Sequence, residues 1–149
     1  PNFRGVGGSE GTHDHGEQET ADLLAVLQHA QQRFGDLPVF LGGFSFGAFV
    51  ATRLAKLLEG QESAATWMVL VGTAAGAVAG ARSYVTETVP AGTLVIHGAN
   101  DDTVPLSNVL AWAEPQNLPV VVIPGADHFF HGRLHIIRQI IEQFSKPDR

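Results

Sequence analysis

Ser45 lies at the centre of Gly43-Phe44-Ser45-Phe46-Gly47, a G-x-S-x-G pattern with an apolar run before it and a helical pattern after it. A serine hydroxyl is a poor nucleophile unless a base takes its proton and a third group holds that base. A sharp strand-to-helix turn forces the serine backbone into strained geometry and lifts Oγ clear of the sheet. It also sets the next N–H, that of Phe46, at a helix N-terminus, where it can donate to a developing oxyanion. Glycines at 43 and 47 remove Cβ atoms that would crowd such a turn. Two later loops, each just beyond an apolar run, supply partners. His97-Gly98-Ala99-Asn100-Asp101-Asp102-Thr103-Val104-Pro105 offers Asp101 and Asp102, although Asn and Asp here also suit plain turn chemistry. Pro124-Gly125-Ala126-Asp127-His128-Phe129-Phe130 offers His128 as base, with His131 behind it as the fallback. Asp127 is a third candidate acid, but it adjoins His128 and is poorly placed to curl back to that ring. Nucleophile, acid, base is one of the chain orders in which such a relay is built.

Other constellations point less sharply. His13-Asp14-His15, with Glu17 close by, has metal-binding residue types, but no third ligand stands at a recognisable spacing. A solvated polar loop without metal is the expectation. Gly5-Val6-Gly7-Gly8-Ser9 has no P-loop lysine and is a weak phosphate signal. Phe44, Phe46, Phe49, Phe129 and Phe130 crowd the two turns. Phe49 reads as core, whereas Phe44 and Phe46, flanking the serine, fit an apolar acyl pocket as well as they fit core. Phe44 and Phe129 are the candidate substrate contacts. Trp67 and Trp112 read as core. No insertion is long enough for a large lid, so the pocket is expected to be open and small.

The elements that must carry these residues alternate. Glu17 to Phe34 reads as a helix, with Leu23, Leu27, Ala30 and Phe34 on one stripe, widened by Leu24 and Val26. Glu17, Glu19 and Asp22 favour its positive end, and Gly35 and Pro38 stop it. Pro38–Gly42, Trp67–Val71, Thr93–His97 and Pro119–Ile123 are short apolar runs of the fully buried strand type. Helices are predicted over Gly47–Glu59, Pro105–Trp112 and Leu134–Phe144, whereas the small-residue connection Gly72–Pro90 fits neither pattern. Buried strands alternating with helices predict an α/β fold: one domain over residues 1–149, its mostly parallel sheet covered on both faces. A carboxylate and a histidine just past two strands then share the rim with the serine turn.

Composition excludes several classes. The 149 residues carry no cysteine, which removes disulfides, thiolate metal sites and cysteine nucleophiles. A formal charge of -6 disfavours nucleic acid and anionic membranes as partners. No apolar run approaches the roughly 20 residues of a membrane span. Pro1-Asn2-Phe3-Arg4-Gly5 has neither the basic nor the apolar region of a signal peptide, so a cytoplasmic location is the expectation.

Taken together, Asn2-Phe3-Arg4-Gly5-Val6-Gly7-Gly8-Ser9-Glu10-Gly11, Gly42-Gly43-Phe44-Ser45-Phe46-Gly47, Gly98-x-x-Asp101-x-x-Val104-Pro105 and Gly125-Ala126-Asp127-His128-Phe129-Phe130 resemble the small bacterial α/β-hydrolases related to dienelactone hydrolases and acyl-peptidase-like esterases. The resemblance runs nearly end to end. It implies a triad of Ser45, Asp101 and His128, thereby favouring Asp101 over Asp102. It also implies a structural role for Arg4, a cofactor-free serine esterase acting on short acyl esters, and a small-molecule substrate. Dienelactone hydrolases proper use cysteine, so that lactone chemistry is not expected. In the family, the F-R-G-x-G-x-S motif follows the fourth strand of an eight-stranded sheet, and the loop after strand three gives a second oxyanion N–H. This chain starts at the motif. The usual N-terminal strands are expected to be lacking, the oxyanion hole to be half-built, and the serine strand to lie at an edge that a second copy could cover in a homodimer.

Overall fold

The computed structural model describes residues 2–35, 37–61 and 67–145. Four strands form a parallel sheet: β1 (Phe40–Phe44), β2 (Trp67–Val71), β5 (Leu94–Gly98) and β6 (Val120–Ile123), ordered β1-β2-β5-β6. Between β2 and β5, the connection Gly72–Pro90 holds a small antiparallel hairpin, β3 (Gly76–Val78) and β4 (Arg82–Tyr84). The helices are α1 (Glu17–Phe34), α2 (Phe46–Leu57), α3 (Leu106–Ala113) and α4 (Leu134–Phe144), with a single 3-10 turn at Glu114–Gln116.

Alternation along the strands divides the interior into two layers. Met68 and Leu70 of β2 and Val95 of β5 face a core shared with Val50, Leu54, Val109 and Ala113 of α2 and α3. Val69, Val71 and Ile96 face the opposite layer, closed by Ile137, Ile140, Ile141 and Phe144 of α4. This period of two is what a strand buried on both faces requires. Leu23, Leu24 and Leu27 attach α1 to the first layer. Phe34 at its far end is exposed.

The start of α1 explains how the opening loop is held. Glu19 is fully buried, and its carboxylate accepts the N–H groups of Asp14 (2.8 Å) and Gly16 (2.9 Å), half of a capping box. Burial alone would raise its pKa. The backbone donors and the nearby His13 outweigh that and hold it below the ordinary carboxylate value. Arg4 spans Asp22 with two bonds of 2.6 and 2.7 Å, pinning the loop to the helix.

Some expectations need correction. The first strand runs from Phe40 to Phe44 rather than over Pro38–Gly42, so the sheet reaches the residue before Ser45. Trp67 starts β2 from its exposed end, with 41% of its surface accessible, and is not core. Trp112 is partly buried and anchors its indole N–H on the Glu87 carbonyl at 3.0 Å. Among the described residues β1 pairs only with β2, leaving one side of its ladder free. No helix of the described residues is long and apolar enough to cross a membrane.

Candidate active site

Register aligns the strand ends that bear the chemistry. Phe44 lies opposite Val71, Val71 opposite Ile96, and Gly98 opposite Ile123. The next residues of the chain therefore emerge along one rim, the usual ligand-binding edge of an open α/β sheet.

At the first strand end, Ser45 has φ +53°, ψ -119°, a conformation a non-glycine residue adopts only under constraint. The constraint is visible. The Ser45 N–H donates to the Val71 carbonyl at 2.8 Å, and its own carbonyl accepts the N–H of Ala48 at 3.0 Å. A side chain at Gly43 would put Cβ 2.5 Å from the Gly47 carbonyl oxygen and 2.6 Å from Ala48, so only glycine fits there. Gly47 is different. Beyond its own helix, a Cβ there would meet only Phe3, at an ordinary 3.6 Å, so steric need for glycine sits on one side of the serine rather than both. The Phe46 N–H, first in α2, has no acceptor among the described residues and lies at the positive end of the helix, one residue after Ser45.

The acid and base loops are stitched to each other. Asn100 N–H donates to the Ala126 carbonyl at 2.9 Å, and Ala99 N–H to the Ile123 carbonyl at 3.0 Å. Gly98 permits this approach, since a Cβ there would fall 2.5 Å from the Ala126 oxygen. Buried Phe130, at φ +55°, anchors the base loop in the α4 layer.

Ser45, Asp101 and His128 meet at this junction. His128 Nδ1 lies 2.7 Å from Asp101 Oδ2, and Nε2 lies 2.9 Å from Ser45 Oγ. A carboxylate only accepts, so Nδ1 carries the proton and Nε2 is free to accept the serine O–H. Asp101 Oδ1 accepts the N–H groups of Thr103 (2.9 Å) and Val104 (2.7 Å). Burial pushes the Asp101 pKa up, but these bonds and the one from His128 prevail and hold it below the ordinary carboxylate value. The rival residues are engaged elsewhere. Asp127 accepts His131 Nδ1–H at 2.6 Å, out on the surface, and Asp102 faces Thr103 Oγ1 at 3.4 Å.

His97 was not singled out as a site residue, yet it is fully buried against the acid. Its Nε2–H donates to the Val104 carbonyl at 2.9 Å and lies 3.4 Å from Asp101 Oδ2, while its buried Nδ1 has no partner among the described residues. Burial lowers its pKa despite the Val104 bond and the Asp101 charge. Its place on an apolar strand three residues before Asn100 was the available signal. Gly72 was also missed: at φ +55°, it lies under Phe44 and His128, where a Cβ would come within 3.3 and 3.5 Å of their rings.

Phe44 and Phe129 flank the His128 ring with centroids 5.0 and 5.1 Å away. Phe46 turns away from them into a cluster with Phe3, His13, Phe49 and Tyr84. Beside Ser45 a cleft of about 430 Å³ opens, lined by Phe3, Leu23, Gly42, Gly43, Phe44 and Phe46. His13 and His15 stack on each other at 5.0 Å, and His13 leans on Glu19. Among the described residues no three His, Cys, Asp or Glu side chains are grouped to hold a metal.

An open parallel sheet, a strained serine between strand and helix, and an acid and a histidine on the next strand ends place the molecule among the α/β-hydrolases. Comparison narrows the class: residues 2–89 match the family model described as serine aminopeptidase, S33, and the chain belongs to that family. A lidless α/β serine hydrolase from Xanthomonas campestris is 34% identical with a TM-score of 0.82, covering 96% of this chain and 62% of that one. An α/β serine hydrolase homologue from Coxiella burnetii is 35% identical with a TM-score of 0.77, covering 97% and 67%. An uncharacterized protein of Rickettsia prowazekii is 46% identical over 54 residues, 36% of this chain and 23% of that one. The chain thus spans less than two thirds of the Xanthomonas protein's length, and its match to the Rickettsia protein covers under a quarter of that one.

Proposed function

We propose that the chain carries the catalytic residues of a serine hydrolase that cleaves short acyl esters through an acyl-enzyme on Ser45. The observation that supports this reading is the unbroken contact from Ser45 Oγ through the His128 ring to the Asp101 carboxylate. His128 Nε2 takes the Ser45 proton as Oγ attacks the ester carbonyl, and the Phe46 N–H steadies the oxyanion of the tetrahedral intermediate. The protonated ring then hands that proton to the leaving alcohol as the carbon–oxygen bond breaks. Water, activated by the same nitrogen, releases the acid and restores the serine. Asp101 keeps Nδ1 protonated and stabilises the imidazolium.

Esters suit the surroundings better than peptide N-termini do, whatever the family's name describes. An aminopeptidase must receive a free ammonium beside the scissile bond, yet the cleft next to Ser45 is lined by Phe3, Leu23, Phe44, Phe46 and glycines, with no carboxylate. Reaction with a fluorophosphonate, read by intact mass, is the test. The wild type is expected to gain one adduct and Ser45→Ala none. An unlabelled wild type, or equal hydrolysis of p-nitrophenyl acetate by both proteins, would remove the nucleophile assignment.

A further inference from the structure

We infer that Phe44 and Phe129 form a binding wall for the leaving alcohol of the substrate, and that the site prefers esters of aromatic or bulky apolar alcohols. This rests on the serine-hydrolase reading above. His128 Nε2 must deliver its proton to the leaving oxygen from roughly 3 Å, so the leaving group is bound on the histidine side of Ser45. The histidine ring itself is almost fully buried, and the surface that continues outward from it is aromatic. Phe44 is 42% exposed and Phe129 60% exposed, their centroids 6.0 Å apart at 50°.

Two large exposed aromatics touching each other and the His128 ring are poorly explained by core packing. Phe130, one residue on, fills the core position of this loop at 1% exposure, which leaves Phe129 free to face outward. Gly72 contributes by omission, because a Cβ there would sit 3.3 Å from the Phe44 ring, which would have to give by a few tenths of an ångström, while only touching His128 at 3.5 Å. A ring attached one carbon from the leaving oxygen reaches this wall and stacks or packs edge-on against it. The acyl group, on the opposite bond of the carbonyl carbon, is directed toward the cleft between Phe3 and Leu23, which Phe44 also borders, so Phe129 is the member of the wall that belongs to the alcohol side alone.

Because the wall touches the alcohol both before and during reaction, its effect belongs mainly in KM. The experiment compares kcat/KM for benzyl acetate with that for ethyl acetate, whose alcohols are similarly poor leaving groups. A second pair, ethyl phenylacetate against ethyl acetate, places the ring on the acyl side. Wild type is expected to favour benzyl acetate, and Phe129→Ala to reduce that ratio about three- to tenfold, chiefly through KM. Phe129→Tyr should restore it, and the acyl-side ratio should stay within twofold. A benzyl-to-ethyl ratio unchanged in Phe129→Ala overturns the proposal, as does a loss confined to the acyl-side pair. Fluorophosphonate labelling of the same preparations separates the two readings. A protein that labels at Ser45 but shows no alcohol preference refutes the wall alone, and one that never labels refutes the hydrolase.

Discussion

The carboxylate of Asp101 accepts two backbone N–H groups on one oxygen and the His128 ring on the other, with the buried His97 packed beside it. Exchanging it for Asn keeps the size but loses the charge, and the amide can leave Nδ1 facing a donor and the ring in the wrong tautomer. Asp101→Asn is expected to lower kcat on p-nitrophenyl acetate by roughly 10³–10⁴, as is typical when such a carboxylate is neutralised. His97 makes a different prediction, about stability. Its folded-state pKa is lowered by burial, so below about pH 6.5 the unfolded chain binds a proton that the folded chain refuses. Stability therefore falls as pH drops through that region toward the folded value, by up to about 1.4 kcal/mol per pH unit for this one group. His97→Gln does not titrate and keeps a donor for the Val104 carbonyl. Its urea midpoint is expected to change less between pH 7 and pH 5 than that of the wild type.

Strand ends and the glycines beside them set the precision of the site. Gly43→Ala drives a methyl into the backbone of α2 and is expected to cost at least about 1–3 kcal/mol, the usual range for overpacking. Gly47→Ala meets only Phe3 outside its own helix and should be tolerated, so denaturation midpoints of the two variants test which glycine the turn requires. Much of this architecture was legible in residue order. The boundaries of β2, α1 and α4 follow from apolar periodicity, because each is a clean run with stop signals at its ends. The loops bearing Ser45, Asp101 and His128 were placed by chain order against those runs. What escaped was whatever lacks a side-chain signal. β1 passes through Gly42 and Gly43, which show no hydrophobicity, so its reading ended two residues early. The β3–β4 hairpin consists of three-residue strands inside a stretch of small residues, too short for any period to register. Gly72, Gly98 and His97 matter only because distant segments come to rest against them, a fact of tertiary structure that no local window contains.

On the scale of the molecule, two layers of side chains sandwich four strands, and among the described residues the sheet ends in β1 on one side and β6 on the other. Phe40, 45% exposed, lies on the first of these borders beside an apolar groove shared with Leu27, Phe34 and Leu37. A lysine there is a common natural means of keeping such a border from sticking. Phe40→Lys is expected to raise the protein concentration at which light scattering begins to climb, and an unchanged onset would show that this strand does not govern association. The geometry of the two borders has a further consequence. If β1 of one molecule meets β1 of another about a two-fold axis, both are consumed and assembly halts at two. If β1 instead meets β6 of its neighbour, every addition regenerates an open end, and the particles lengthen until the rotation closes a ring or, where it does not close, without limit. Sedimentation across a dilution series distinguishes these outcomes, as a plateau at twice the chain mass or as a mass that keeps rising with concentration.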